Sequence, residues 1–261
     1  MIQSKNSQDW FGYYKPRPVA KIRLFCFPFA GGNALTYRAW VDKLPEWIDV
    51  CPVELPGRGS RLREAPFTAI PPLVLALGKA LIPFLEKPYA FFGHSMGALI
   101  SFELARHFRK NQLPQPVHFF ASGHTAPTWP NSHPPIHNLP EYQFIEELRK
   151  LNGTPDAVLN NDELMQLLLP VLRADFAMNE TYLYSEDRPL DCPISAFGGK
   201  DDLDVNRKSL EAWGEQTTGE FSLKILSGDH FFIQSSQQII LHSIEKELSQ
   251  YTEQMVARRA V

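Results

Sequence analysis

Two glycines bracket a serine in Gly93-His94-Ser95-Met96-Gly97, and the five residues stand between two different kinds of apolar segment. Tyr89 to Phe92 is a short continuous apolar run that reads as a strand. Met96 to Arg109 reads as a helix, because Leu99, Phe102, Ala105 and Phe108 recur at helical spacing on one face. A serine at such a strand-to-helix turn is held in a strained backbone conformation. Residues two before and two after must be small, since the chain packs against itself there. The turn exposes the hydroxyl at the carboxyl end of a strand and aims the next N–H, that of Met96, at whatever the serine attacks. The helix N-terminus adds positive potential. Such a turn needs a sheet to hold it, and this constrains the fold more than any other feature of the chain.

The rest of the chain supplies that sheet. Ile22–Phe27 (closed by Pro28), Ile48–Val53 (ended by Pro56-Gly57), Val117–Ala121, Pro193–Phe197 and Phe221–Leu226 read as strands. Leu35–Leu44, Pro71–Leu85 and Ser235–Gln250 read as helices, with Pro71 and Pro72 tolerated in a first turn. The alternation indicates an α/β architecture with a mostly parallel central sheet flanked by helices. One stretch departs from the rhythm. Between Thr125 and Arg188 no strand is evident, whereas Tyr142–Lys150 and Asp162–Leu172 look helical. We read residues 125–188 as a helical lid insertion within a single domain spanning 1–261.

Composition narrows the function. The chain has 26 Lys+Arg against 29 Asp+Glu, a net charge of −3, so no basic excess draws it to nucleic acid or an anionic membrane. Met1 to Trp10 contains no secretory apolar core. Leu73–Leu85 is too short to span a bilayer and is broken by Gly78, Lys79 and Pro83. A cytoplasmic location is expected. Cys26, Cys51 and Cys192 form no CxxC pair and read as buried thiols. His133 and His137 have the i, i+4 spacing of a metal pair, but Pro134 and Pro135 forbid the helix that would align them, so no metal site is expected. Nothing demands more than a monomer.

A neutral serine needs a base, and a base needs an orienting acid. With this kind of turn the expected chain order is serine, acid, histidine. Phe197-Gly198-Gly199-Lys200-Asp201-Asp202 places carboxylates just after one strand, and Ser227-Gly228-Asp229-His230 follows another. Asp202 is the expected acid, because Gly199, Asp202 and Val205 fit a G-x-x-D-x-x-V pattern; Asp201 is the alternative. Asp229 reads as a turn residue and Asp204 as a solvated loop charge. His94 reads as a packing residue, and His124 as a strand-end residue near the pocket. Phe27-Pro28-Phe29-Ala30-Gly31-Gly32-Asn33 follows the first strand and lacks the lysine of a phosphate-binding loop. In a serine hydrolase a loop placed there supplies the second oxyanion donor. Ala30 is the choice, with Phe29 as alternative and Met96 as the first donor. This set hydrolyses esters and thioesters alike, so a general carboxylesterase or lipase is the competing reading. It gives no task to a metal or organic cofactor.

These runs carry a resemblance. Cys26 to Gly32, Glu54-Leu55-Pro56-Gly57-Arg58-Gly59 with Arg61, and Gly93 to Gly97 are similar to the type II thioesterases. So are Leu139-Pro140, Gly153-Thr154-Pro155, Leu172-Arg173-Ala174-Asp175, Glu180 and Tyr182, then Gly199 to Asp202 and Gly228 to His230. These stand-alone α/β-hydrolases accompany polyketide synthases and nonribosomal peptide synthetases. The resemblance covers roughly Lys21 to Leu248. It implies an acyl thioester on the phosphopantetheine arm of a carrier protein as substrate, and an editing role that frees stalled assembly lines. It also implies that the lid shapes the acyl pocket. Arg58 and Arg61 read as surface charges, solvated or locally paired.

Overall fold

The computed structural model describes residues 7–130 and 134–259. Its six strands are β1 (Ile22–Phe27), β2 (Ile48–Pro52), β3 (Tyr89–His94), β4 (His118–Ser122), β5 (Ile194–Gly199) and β6 (Phe221–Leu226). They form one sheet in the order β2-β1-β3-β4-β5-β6, and every neighbouring pair is parallel. Strands covered on both faces are apolar on both, which is why most of them read as continuous runs rather than alternations.

The period of two sorts side chains to opposite faces. On one, Phe25, Phe27, Phe91 and Phe119 meet Leu73 and Leu77 of α2 (Ile70–Leu81) and Leu99 and Phe102 of α3 (Met96–Lys110). On the other, Leu24, Cys26, Phe92 and Phe120 meet Trp40 and Val41 of α1 (Arg38–Lys43) and Ile240, Ile244 and Leu248 of α9 (Gln237–Arg259). Of the two edge strands, β6 is partly exposed, while β2 is buried throughout. The N-terminal residues cover β2: Phe11 bridges Val53, the Tyr14 hydroxyl donates to Asp49 at 3.0 Å, and Arg17 donates to the carbonyls of Leu44, Pro45 and Ile48.

Between β4 and β5 the described residues contain three helices and no strand. These are α4 (Glu141–Lys150), α5 (Asp156–Leu159) and α6 (Asp162–Glu180). They share a small core of Phe144, Leu148, Leu159, Met165, Leu169 and Leu172. The helix expected to end at Leu172 continues to Glu180. Its last turns are buried through Ala174, Asp175 and Met178, and the polar Asp175 interrupts the apolar stripe that would announce them. The helix expected over Leu35–Leu44 is a 3-10 turn, Ala34–Tyr37, leading into α1. The one expected to reach Leu85 gives way at Leu81 to a 3-10 turn, Ile82–Phe84, since Pro83 has no N–H to continue it. Two further short helices, α7 (Arg207–Glu211) and α8 (Phe232–Ser235), span too few residues to show a period.

Because all strands run the same way, the loops after β1, β3, β5 and β6 emerge at one edge. The chain builds outward in both directions from β1 and β3, and the carboxyl ends of two such strands flank the crevice where α/β sheets place their ligands.

Candidate active site

Ser95 sits between β3 and α3 at φ +52°, ψ −125°, a conformation unfavourable for a residue with a side chain. The surroundings over-determine it. Its N–H donates to the Ser122 carbonyl at 2.7 Å, and its own carbonyl accepts from Ala98 at 2.8 Å. A Cβ added to Gly93 would stand 2.2 Å from the Gly97 carbonyl oxygen, and one added to Gly97 would stand 2.2 Å from that of Phe27. The small-residue requirement is therefore a direct contact, and the second contact seats the turn on the end of β1.

His230 leaves the end of β6. Its Nε2 lies 3.0 Å from Ser95 Oγ, placed to accept the hydroxyl proton, and its Nδ1 donates to Asp202 Oδ2 at 2.8 Å. The other Asp202 oxygen accepts the N–H groups of Asp204 (3.0 Å) and Val205 (3.1 Å). The Asp202 side chain is 1% exposed and that of His230 22%. The neighbouring Asp201 is exposed, and its N–H donates to the Gly228 carbonyl. The structure thus brings Asp202, and not Asp201, to the histidine. Asp229 is a turn residue: it accepts from the Phe231 N–H at 2.9 Å and from Asn152 Nδ2 at 3.2 Å.

The loop after β1 lies against this row. The Gly32 N–H donates to the Phe29 carbonyl at 2.9 Å, and the Gly31 N–H donates to Asp175 Oδ2 at 2.7 Å. Among the described residues, no acceptor takes the N–H of Phe29, Ala30 or Met96. The Phe29 ring stands edge-on to His94 and to Phe231.

His94 does more than pack. Its Nε2–H donates to the His230 carbonyl at 3.0 Å, and its Nδ1 accepts from Ser122 Oγ at 2.8 Å. Burial, and then the proximity of His230, hold this imidazole well below the ordinary histidine range, so it stays neutral. A buried imidazole needs partners for both nitrogens, and that was the available signal; which partners they are depends on strands far apart in sequence. His124 is also held low by burial, and its Nδ1–H donates to the Thr125 carbonyl at 2.6 Å. Arg58 and Arg61, expected at the surface, are buried at 5% and 4% exposure. Arg61 keeps the local pairing expected of it, with Glu64, and also lies 3.9 Å over the Trp10 ring, so its burial comes from N-terminal residues that carry no motif.

A cavity of about 400 Å³ opens beside the histidine, lined by Asn152, Gly153 and Pro155 of the helical segment and by Asp229, Phe231, Gln234 and Ser235. His133 lies outside the described residues, and His137 donates from Nδ1 to Glu180 Oε2 at 2.5 Å. No group of three or more His, Cys, Asp or Glu among the described residues is arranged to hold a metal ion. No described helix is long and apolar enough to cross a membrane. All three cysteines are free and buried, and burial pushes the Cys192 thiol up to about 12.

The parallel sheet, the strained serine turn and the loops gathered at one edge make this an α/β-hydrolase. The chain belongs to the thioesterase domain family, whose model matches residues 22–248. It is 48% identical over 239 residues to the gramicidin S biosynthesis protein GrsT of Aneurinibacillus migulanus, covering 92% of this chain and 93% of that one. Among solved structures, BorB, the type II thioesterase of the borrelidin biosynthetic cluster, superposes with a TM-score of 0.84 at 35% identity, covering 94% of this chain and all of that one. RedJ, a thioesterase of the prodiginine pathway in Streptomyces coelicolor, does so with a TM-score of 0.83 at 37% identity, covering 93% and 100%. Thioester hydrolysis is the chemistry of this family, and the chain is an enzyme of that kind.

Proposed function

We propose that the enzyme hydrolyses acyl thioesters from the phosphopantetheine arm of carrier proteins, clearing stalled or wrong acyl groups from polyketide or nonribosomal peptide assembly lines. The observation that carries this reading is the continuous hydrogen-bonded row from Ser95 through His230 to Asp202, set in a chain that aligns end to end with stand-alone biosynthetic thioesterases. His230 takes the proton from Ser95 as Oγ attacks the thioester carbonyl. Asp202 holds the histidine tautomer and stabilises the imidazolium. The N–H groups of Met96 and Ala30 receive the developing oxyanion, each worth about 3–4 kcal/mol in comparable sites. The pantetheine thiol leaves, and His230 then activates water to release the acid from the acyl-serine. No step calls for a metal or organic cofactor.

Residues 125–188 act as the lid in this reading, with the cavity beside Phe231 and Gly153 at the junction of lid and histidine loop. The enzyme works as a monomer in the cytoplasm, where its carrier proteins are. Hydrolysis of matched acyl-pantetheinyl carrier proteins and oxygen esters tests the proposal. Preferential cleavage of the thioesters supports it. Cleavage of free esters alone, with carrier-bound thioesters left intact, replaces it with a general serine esterase.

A further inference from the structure

Asp175 is a carboxylate with no exposed surface, on the last turns of α6, outside the catalytic row. A buried charge requires close partners. Arg58 supplies two, Nη1 to Oδ2 and Nη2 to Oδ1, both at 2.7 Å, in a bidentate pair. The third partner is the backbone N–H of Gly31, at 2.7 Å from Oδ2. Arg58 Nη1 also donates to the Gly32 carbonyl at 3.0 Å. The pair therefore grips two successive residues of the loop after β1. Apolar contacts from the same helix support it: a Cβ on Gly31, whose φ is +74°, would lie 2.6 Å from Leu172 Cδ2.

The geometry of the peptide unit gives this grip a consequence. The Phe29 carbonyl and the Ala30 N–H belong to one planar trans peptide and point in opposite directions. That carbonyl faces inward, accepting from the Gly32 N–H. The Ala30 N–H therefore points out of the turn. What holds the turn is the Gly31 N–H on Asp175 and the Gly32 carbonyl on Arg58. We propose that Asp175, neutralised and oriented by Arg58, is a positioning residue for the oxyanion donor at Ala30, so that α6 braces the oxyanion loop. The inference rests on the serine-thioesterase reading above. Stability alone is a weak reason for such a pair, because buried ion pairs are often replaceable by apolar side chains without loss.

Two double variants separate positioning from folding. Both carry Arg58→Met, which avoids an unpaired buried cation. One adds Asp175→Asn, which keeps an acceptor for the Gly31 N–H; the other adds Asp175→Leu, which does not. For each, urea unfolding, kcat and KM on acetyl-pantetheine, and affinity for two pantetheine analogues are measured. The trifluoromethyl ketone forms a tetrahedral adduct on the serine, and the thioether does not. The Leu variant is expected to lose about 10²-fold in kcat and in ketone affinity together, the scale of one oxyanion donor. Its KM and thioether affinity stay within about two-fold, because only transition-state binding is lost. The Asn variant recovers most of the kcat. Equal activity in the two folded variants overturns the proposal, as does equal weakening of ketone and thioether. Should either double variant fail to fold, Arg58→Met with Asp175→Ala, which removes the acceptor without adding bulk, decides by the same ketone-to-thioether ratio: a ratio unchanged from wild type overturns the proposal. A wild-type enzyme that leaves both acetyl-pantetheine and the acetylated carrier protein intact instead refutes the reading on which the proposal rests.

Discussion

Replacing Asp202 with asparagine changes one oxygen to an NH2 group in a side chain whose orientation the structure dictates. Oδ1 accepts from the N–H groups of Asp204 and Val205, at 3.0 and 3.1 Å. An amide NH2 cannot accept those bonds, so the asparagine oxygen takes that position and the NH2 turns toward His230 Nδ1, now 2.8 Å from a donor instead of an acceptor. Nδ1 must then be the unprotonated nitrogen. The proton moves to Nε2, which faces Ser95 Oγ at 3.0 Å and can no longer receive its proton. The expected loss is about 10⁴-fold in kcat, or about 5.5 kcal/mol of transition-state stabilisation, the scale of this tautomer error in a serine triad. Packing is nearly unchanged, so the thermal midpoint should move little. Asp201→Asn, at an exposed position, should keep activity within about two-fold, as surface changes do. The assay is pre-steady-state hydrolysis of an acyl-pantetheine thioester by folded, purified variants. A reversed ranking, or an Asp202→Asn enzyme within about ten-fold of wild type, refutes the tautomer argument.

Removing the His94 side chain with His94→Phe strips partners from the Ser122 hydroxyl and the His230 carbonyl; about 1–3 kcal/mol of stability for each buried orphan should be lost, with a fall in kcat, by urea unfolding and kinetics. Gly97→Ala forces a Cβ to 2.2 Å from the Phe27 carbonyl oxygen and should cost at least about 3 kcal/mol or prevent soluble expression; a stable, active Gly97→Ala enzyme would contradict the packing account. Burial lowers His118 to about 3, where its Nε2 accepts from Ser195 Oγ at 2.9 Å. The unfolded chain therefore binds the extra proton between pH 6.5 and about 3. Stability should be full above that window and fall by about 1.4 kcal/mol per pH unit on acidification through it. His118→Phe should flatten that limb in denaturant titrations at stepped pH. Enlarging or reducing Leu169 or Phe144, in the small core of α4 to α6, should shift the ratio of long-chain to acetyl hydrolysis; equal loss at all chain lengths would reduce the proposed lid to a structural cover.

The serine turn and the placing of Asp202 beside His230 were legible because each is announced by a local pattern. Small residues must flank a strained serine, and loops must follow apolar runs. The same locality explains what was not legible. Asp175 lies beyond the helix expected to end at Leu172, and its partners, Arg58 and Gly31, are far away in sequence and meet it only in the folded chain. Arg58 and Arg61 looked like surface charges because charge is normally solvated, and nothing near them announces Asp175 or the Trp10 ring. The continuation of α6 to Glu180 was hidden by the same polar residue that anchors it. His94 was underread because a histidine before the serine has no period or spacing to betray its bond to the His230 carbonyl.

The central claim is that carrier-bound thioesters are cleaved through an acyl-enzyme on Ser95. Acid quenching within milliseconds of mixing enzyme with an acyl-pantetheinyl carrier protein, followed by peptide mass spectrometry, tests it most directly. The acyl mass is expected on the peptide containing Ser95, decaying as free acid appears and absent in Ser95→Ala. Turnover of the carrier-bound thioester with no acyl group on that peptide, or undiminished turnover by Ser95→Ala, would contradict it.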